Sequence, residues 1–234
     1  MIEYLKWDSD FFGKKTGRVS ANEFILDEII SEAKMNNYDT VYILYDNVKP
    51  KLGICENRGL YLSDIKIYLS MKFDKEKYAG MFYEKLNSLS EQDYKDAIDI
   101  VKSTAIVSRF YNDSNYKQDK IVEMYSYWLI NALNGSFSDG IFVERVNGKI
   151  EGVVIAKTDE TARLTLIGVN PKIKRHGLGR KLLNQLLAYC IDKHFDRLYS
   201  VFSLNNLESF RYHIKTGFTN IEKLRYIYHY INNK

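Results

Sequence analysis

The sequence is most informative at first through what it has little of. Two prolines and 13 glycines in 234 residues are too few for a collagen-like, linker-like or low-complexity chain. Two cysteines, Cys55 and Cys190, are too few and too far apart for a disulfide framework or a CxxC zinc site, and are expected as reduced, buried thiols. No spacing of potential ligands calls for a metal. No apolar run approaches the roughly 18 residues that a membrane helix needs. The start, MIEYLKWDSDFFGKK, carries charge where a signal peptide has its apolar core, so the expectation is a cytoplasmic chain without a membrane partner. Charge of one sign is also scarce. The formal excess is +4 against 30 acidic residues, and Lys and Arg are scattered rather than gathered into a stripe, which argues against a nucleic-acid partner.

What is present suits a packed soluble protein: 45% apolar and 27% charged residues, in one large domain or two small ones. Residues 1 to about 74 alternate short patterns. GRVSANEF, TVYILYD and SDIKIYLSMKF read as strands. LDEIISEAKMNN repeats apolar residues at Leu26, Ile29, Ile30 and Ala33 with helical period, and LGICENRG reads as a short helix ending near Gly59. A polar stretch over 75–93 sets a boundary between a small α/β unit, 1–93, and a larger domain, 94–234. Two helices, DYKDAIDIVKSTA and KQDKIVEMYSYWLINAL, open the second part. GIFVERV, KIEGVVIA and ARLTLIGV then form a meander. Asn147-Gly148 joins the first two, because that dipeptide tolerates the positive φ angles of a type I′ turn. The last section reads strand, loop, helix, strand, helix, strand, its first helix apolar at Leu178, Leu182, Leu183, Leu186, Leu187, Cys190 and Ile191.

One loop concentrates the chemistry. VNPKIKRHGLGRKLL, residues 169–183, runs from a strand through two glycines and five basic residues into that helix. A helix start leaves backbone N–H groups without partners and carries partial positive charge, which suits an anion. Gly177 and Gly179 let backbone approach a pyrophosphate, and Lys174, Arg175 and Arg180 add countercharge. The other reading is a βα turn with glycines for geometry alone. The spacing is neither that of a P-loop nor that of the dinucleotide-binding G-x-G-x-x-G.

The stretch resembles the acyl-CoA-binding motif of the GNAT superfamily of N-acyltransferases, V-x-P-x-x-[RQ]-x-x-G-x-[GA], through Val169, Pro171, Gly177 and Gly179, with Lys174 where Arg or Gln is usual. NLESFRYHIKTGF is similar to the family's N-x-x-[AS]-x-x-x-Y-x-x-x-G-F, with Asn206, Ser209, Gly217 and Phe218 in place and His213 in the tyrosine slot. The resemblance covers about 95–234. It implies an α/β (α+β) fold with a mixed, mostly antiparallel sheet, splayed where the donor acetyl-CoA lies. It implies donor contacts through Lys174, Arg175, His176, Gly177, Leu178, Gly179, Arg180 and Asn206, with exposed backbone near Ile167 and Val169 pairing with the pantetheine arm. The amine attacks directly, without a covalent enzyme intermediate, and a group protonates the departing thiolate.

His213 lies two helical turns after Asn206, on the same face, whereas Tyr212 points about 100° away. His213 is the candidate acid, Tyr212 the second choice, and packing of His213 beneath the sheet the alternative. Glu144, Glu151 and Glu208 are candidate bases, with no spacing to choose among them. KWDSDFFGKKTGRV and STAIVSRFYND resemble segments of sugar-nucleotide acetyltransferases, most nearly the TDP-fucosamine acetyltransferases, which implies a nucleotide-linked amino sugar as acceptor. Arg109, Lys14 and Lys15 would supply countercharge, and Phe11 and Phe12 would pack on base or sugar. Equally, Arg109 is an ion-pair partner at a helix start and the phenylalanines are core residues. A homodimer stays open, as does an acetyltransferase for another amine or a non-catalytic acyl-CoA-binding module.

Overall fold

The computed structural model describes residues 1–21, 25–46, 59–136, 138–173 and 177–232. The strands are β1 (Glu3–Tyr4), β2 (Thr16–Ala21), β3 (Thr40–Asp46), β4 (Leu60–Lys72), β5 (Gly140–Val146), β6 (Lys149–Thr158), β7 (Ala162–Val169), β8 (Arg197–Ser203) and β9 (Asn220–Ile231). The helices are α1 (Lys6–Phe12), α2 (Leu26–Met35), α3 (Lys75–Tyr78), α4 (Glu91–Ser103), α5 (Gln118–Leu133), α6 (Leu178–Asp192) and α7 (Leu207–Thr216). The short helix expected over LGICENRG, with Cys55, lies outside the described residues.

The chain forms two units, and they do not part near residue 93. One comprises Met1–Tyr68, Phe202–Leu207 and Ile221–Lys234, the other Leu69–Val201 and Glu208–Asn220. The reason is β9, which returns the end of the chain to the first unit and pairs antiparallel with β3 from Thr40↔Ile231 to Asp46↔Arg225. Strand alternation can show that β9 exists, but not which distant strand it joins.

In the first unit the strand order is β1-β2-β3-β9-β4. β2 and β3 run parallel, β1 is antiparallel to β2, and β9 is antiparallel to β3. The helical period read in α2 is the buried one: Leu26, Ile29, Ile30 and Ala33 pack on Val41, Ile43, Tyr45, Tyr228 and Tyr230. α1 was not foreseen. Its seven residues, KWDSDFF, bury only Ser9. Trp7 stacks on Phe11, one turn on, at 4.8 Å between ring centroids, and neither Phe11 nor Phe12 is a fully buried core residue.

In the second unit the order is β4-β8-β7-β6-β5. The meander stands as read, and Asn147 and Gly148 take φ angles of 52° and 81° in its turn. Helices cover both faces. Leu182 of α6 meets Gly152, and Ile100 of α4 meets Gly168. Gly152 pairs with Val169, so Gly168, the next residue along, points to the opposite face. The polar stretch before α4 is not merely a spacer. Leu86 donates to the Ile141 carbonyl at 2.8 Å and Val143 to that of Glu84 at 3.4 Å, covering the free edge of β5. Arg145 fastens this cover, with Nε 2.9 Å from Glu84 and Nη1 2.6 Å from Asp93. The guanidinium of Arg145 in turn lowers the pKa of Asp93.

Candidate active site

The site begins where a sheet stops pairing. β7 pairs with β6 from Thr158↔Ala162 to Gly152↔Val169. With β8 it pairs only at Ala162↔Leu198, Arg163↔Tyr199 and Leu164↔Ser200. At the next residue, Thr165, the β6 register shifts: Ile155 faces Leu166 and Ala156 faces Leu164. A bulge of this kind bends a strand and increases its twist, and here it carries β7 away from β8. Thr165 Oγ1 donates to the Ile155 carbonyl at 2.8 Å, which holds the bulge to β6.

The open edge can be assigned residue by residue. Asn170 donates its backbone N–H to the Glu151 carbonyl of β6 at 2.9 Å. Backbone groups alternate sides along a strand, so those of Gly168 and Leu166 also face β6. Those of Ile167 and Val169 face the opening. The two residues named from the sequence therefore present N–H and C=O groups that no neighbouring strand takes.

Past Val169 the chain turns through Pro171–Ile173 and enters α6. Lys174, Arg175 and His176 lie outside the described residues. Gly177 is the N-cap of α6 at φ 76°, a left-handed conformation that glycine takes without strain. Among the described residues it has no capping side chain, and a helix start leaves first-turn N–H groups such as those of Leu178 and Gly179 for water or a ligand. The Leu178 side chain is buried in the core, which leaves only its backbone for that use. Gly179 has a second reason to be glycine: a Cβ there would come within 3.1 Å of the Tyr212 ring. The Tyr212 hydroxyl donates to the Gly179 carbonyl at 2.8 Å, and Arg180 Nη2 donates to the Lys215 carbonyl at 2.7 Å. These two bonds tie α7 to the first turn of α6. Arg180 is thus engaged at the end of α7 rather than held only for an anion.

His213 is 2% exposed. Its Nδ1 lies 2.7 Å from the carbonyl oxygen of Ser209, one turn earlier in α7. A carbonyl only accepts, so Nδ1 carries the proton. Nε2, 2.8 Å from Ser200 Oγ, then accepts from the serine hydroxyl. Burial lowers the pKa of the ring, against a smaller raising effect of the Ser209 carbonyl. The resting ring is therefore neutral, with its proton on the far side from Ser200, and Nε2 is a proton acceptor. Tyr212 is pushed the other way: burial raises its pKa, so the hydroxyl keeps its proton on Gly179. Phe218 packs edge-on to the His213 ring at 5.0 Å.

The other candidates are placed as follows. Arg109 stacks its guanidinium on the Phe110 ring, 4.2 Å from the centroid. Glu144 accepts from Gln185 at 2.7 Å, Glu151 accepts from Asn170, and Glu208 is exposed in the first turn of α7. Asn206 lies between β8 and α7, its N–H on the Ser203 carbonyl at 2.9 Å. Lys15 serves its own unit, with Nζ 2.6 Å from the Asn36 carbonyl and over the Tyr38 ring. Ser200 was missed. The one signal for it was a hydroxyl at an inward position of RLYSVFS, between the buried Leu198 and Phe202.

Residues 105–218 match the model of the acetyltransferase (GNAT) family. They form a GNAT acetyltransferase domain. Solved structures agree at the level of fold. A conserved protein of unknown function from Staphylococcus epidermidis ATCC 12228 superposes with a TM-score of 0.67 at 14% identity, over 98% of this chain and 90% of its own. A tandem GNAT protein of the clavulanic acid biosynthesis pathway gives 0.56 at 10% identity, over 93% and 75%. A protein assigned to the GNAT acetyltransferases from Novosphingobium aromaticivorans DSM 12444 gives 0.50 at 12%, over 83% and 75%. No curated protein matches the chain. Acetyl-CoA fits the GNAT domain as acyl donor: the open edge of β7 offers backbone partners to a pantetheine arm, and the start of α6 offers N–H groups to a pyrophosphate.

Proposed function

We propose that the protein transfers the acetyl group of acetyl-CoA directly to the amine of a nucleotide-linked amino sugar, a TDP-4-amino-4,6-dideoxyhexose. The observation that carries acetyl transfer is the unpaired edge at Ile167 and Val169, which leads straight into the glycine cradle at Gly177. Much of the rate comes from holding amine and thioester together, and a backbone N–H of the open edge polarises the thioester carbonyl. His213 handles the transferred proton.

The sugar acceptor is supported by the likeness of residues 6–19 and 103–113 to sugar-nucleotide acetyltransferases. Arg109, stacked on Phe110, supplies a cation for the acceptor's phosphates.

The test is thiol release from acetyl-CoA with a TDP-4-amino-4,6-dideoxyhexose beside a panel of free amines. Turnover confined to the nucleotide sugar supports the reading. Turnover with another amine alone removes the sugar and keeps acetyl transfer. No turnover with any amine removes the enzyme.

A further inference from the structure

The region where β7 and β8 part has a direction. The cradle at Gly177 follows the open end of the gap at Val169, so a pyrophosphate there sends the arm inward along Val169 and Ile167. The gap closes at Leu164↔Ser200, the last pair of the two strands. The thioester end of the arm therefore comes to rest beside Ser200. The serine is itself 5% exposed, and its hydroxyl is on His213 Nε2. Its side chain lies on the face of β8 that α7 covers. A serine at the closed end, donating to a neutral imidazole whose other nitrogen is fixed on a carbonyl, is a proton acceptor with a return path.

We propose that Ser200 is a catalytic residue that carries a proton from the acceptor amine to His213 and back to the departing sulfur; this rests on the acetyl-transfer reading above. The amine nitrogen bonds to the thioester carbonyl carbon, and the carbonyl π pair moves onto oxygen. The nitrogen then gives a proton to Ser200 Oγ as the serine's own proton passes to His213 Nε2. The imidazolium so formed keeps its Nδ1–H on Ser209. When the carbonyl re-forms, the C–S bond breaks with its electron pair on sulfur. Sulfur takes a proton from Ser200 Oγ, and Nε2 returns its proton to the serine. The products are an amide and a free thiol, and the two residues end as they began. One pair of side chains thus supplies both the base and the acid. None of Glu144, Glu151 and Glu208 is required.

The experiment uses the full chain with acetyl-CoA and the best amine of the panel. Ser200→Ala should lower kcat about 100-fold, the scale of a lost acid–base group, with the KM for acetyl-CoA changed by less than about twofold. Ser200→Thr keeps the hydroxyl and should restore most of the rate. His213→Gln should fall as far as Ser200→Ala, and the double variant no further, as for residues acting as a unit. A Ser200→Ala protein within about threefold of wild type, or single losses that multiply in the double variant, overturns the relay while leaving acetyl transfer intact. A wild type that binds acetyl-CoA yet acetylates nothing overturns both. If Ser200→Ala fails to fold, wild type in mixed water and deuterium oxide decides: curvature of kcat with isotope fraction supports two protons in flight, and a straight line rejects them.

Discussion

The two edges of β7 are built from the same eight residues and end in opposite states. Toward β6 the pairing runs the length of the strand, with one bulge. Toward β8 it lasts three residue pairs. Because backbone groups alternate sides, consecutive residues of one strand point opposite ways: Leu166 and Gly168 hold the sheet, while Ile167 and Val169 face the gap. The binding edge needs no special side chain. It is made by withholding a partner from an ordinary strand, with the bulge at Thr165 setting where the withholding begins.

Proline substitution at neighbouring positions would break the comparison most directly. Leu166→Pro removes an N–H that faces β6 and leaves a buried carbonyl without its partner, which should cost about 1–3 kcal/mol of stability, read as a fall in urea midpoint. At the entrance to the cradle, Gly177→Val forces a β-branched residue to φ 76° and should cost roughly 1–2 kcal/mol. A Cβ there meets nothing within 4 Å, so the loss is conformational. Acetyl-CoA affinity, measured by calorimetry, should fall with it. Ile167→Pro removes an N–H that faces the gap. Stability should change little, since proline is tolerated where no ladder bond is lost, while acetyl-CoA binding weakens up to about tenfold, the worth of one hydrogen bond. If Leu166→Pro and Ile167→Pro behave alike, the assignment of edges is wrong.

The smallest effect sharpens the comparison at the closed end of the gap. Burial holds the pKa of His213 below its ordinary value. Below about pH 6.5 the unfolded chain binds a proton that the folded ring refuses, so this residue's contribution to stability is present above that pH and declines beneath it. The difference in urea midpoint between wild type and His213→Gln should therefore change as pH falls through 6 and stay flat above 7. A flat difference throughout would mean that the ring is not held neutral.

Much of this arrangement was legible in the sequence, for identifiable reasons. β5 and β7 span the residues read as strands, and α6 buries the leucines its period picked out. Local pattern settles such elements because apolar and β-branched runs and helical periods are carried by neighbouring residues. In the sequence Gly177 reads only as a place where backbone can come close to an anion; that it caps α6 at φ 76° is what the structure adds. Three things were not legible. The departure of β9 to the first unit is a long-range pairing with no local signature. α1 buries almost nothing, so it left no periodic trace. The state of His213 depends on Ser200, 13 residues earlier, and on the carbonyl of Ser209; which nitrogen holds the proton is a property of that geometry and not of the motif that contains the ring.

The contact between Gly179 and Tyr212 reaches beyond this one molecule. The ring occupies the space that any side chain at 179 would need, and its hydroxyl closes on the same residue's carbonyl. The two positions are therefore one choice made twice. Among relatives that share this helix pair, glycine at the first should travel with a large aromatic at the second, and alanine at the first with something smaller. A set of sequences in which the two vary independently would show that the helices are held together by other means.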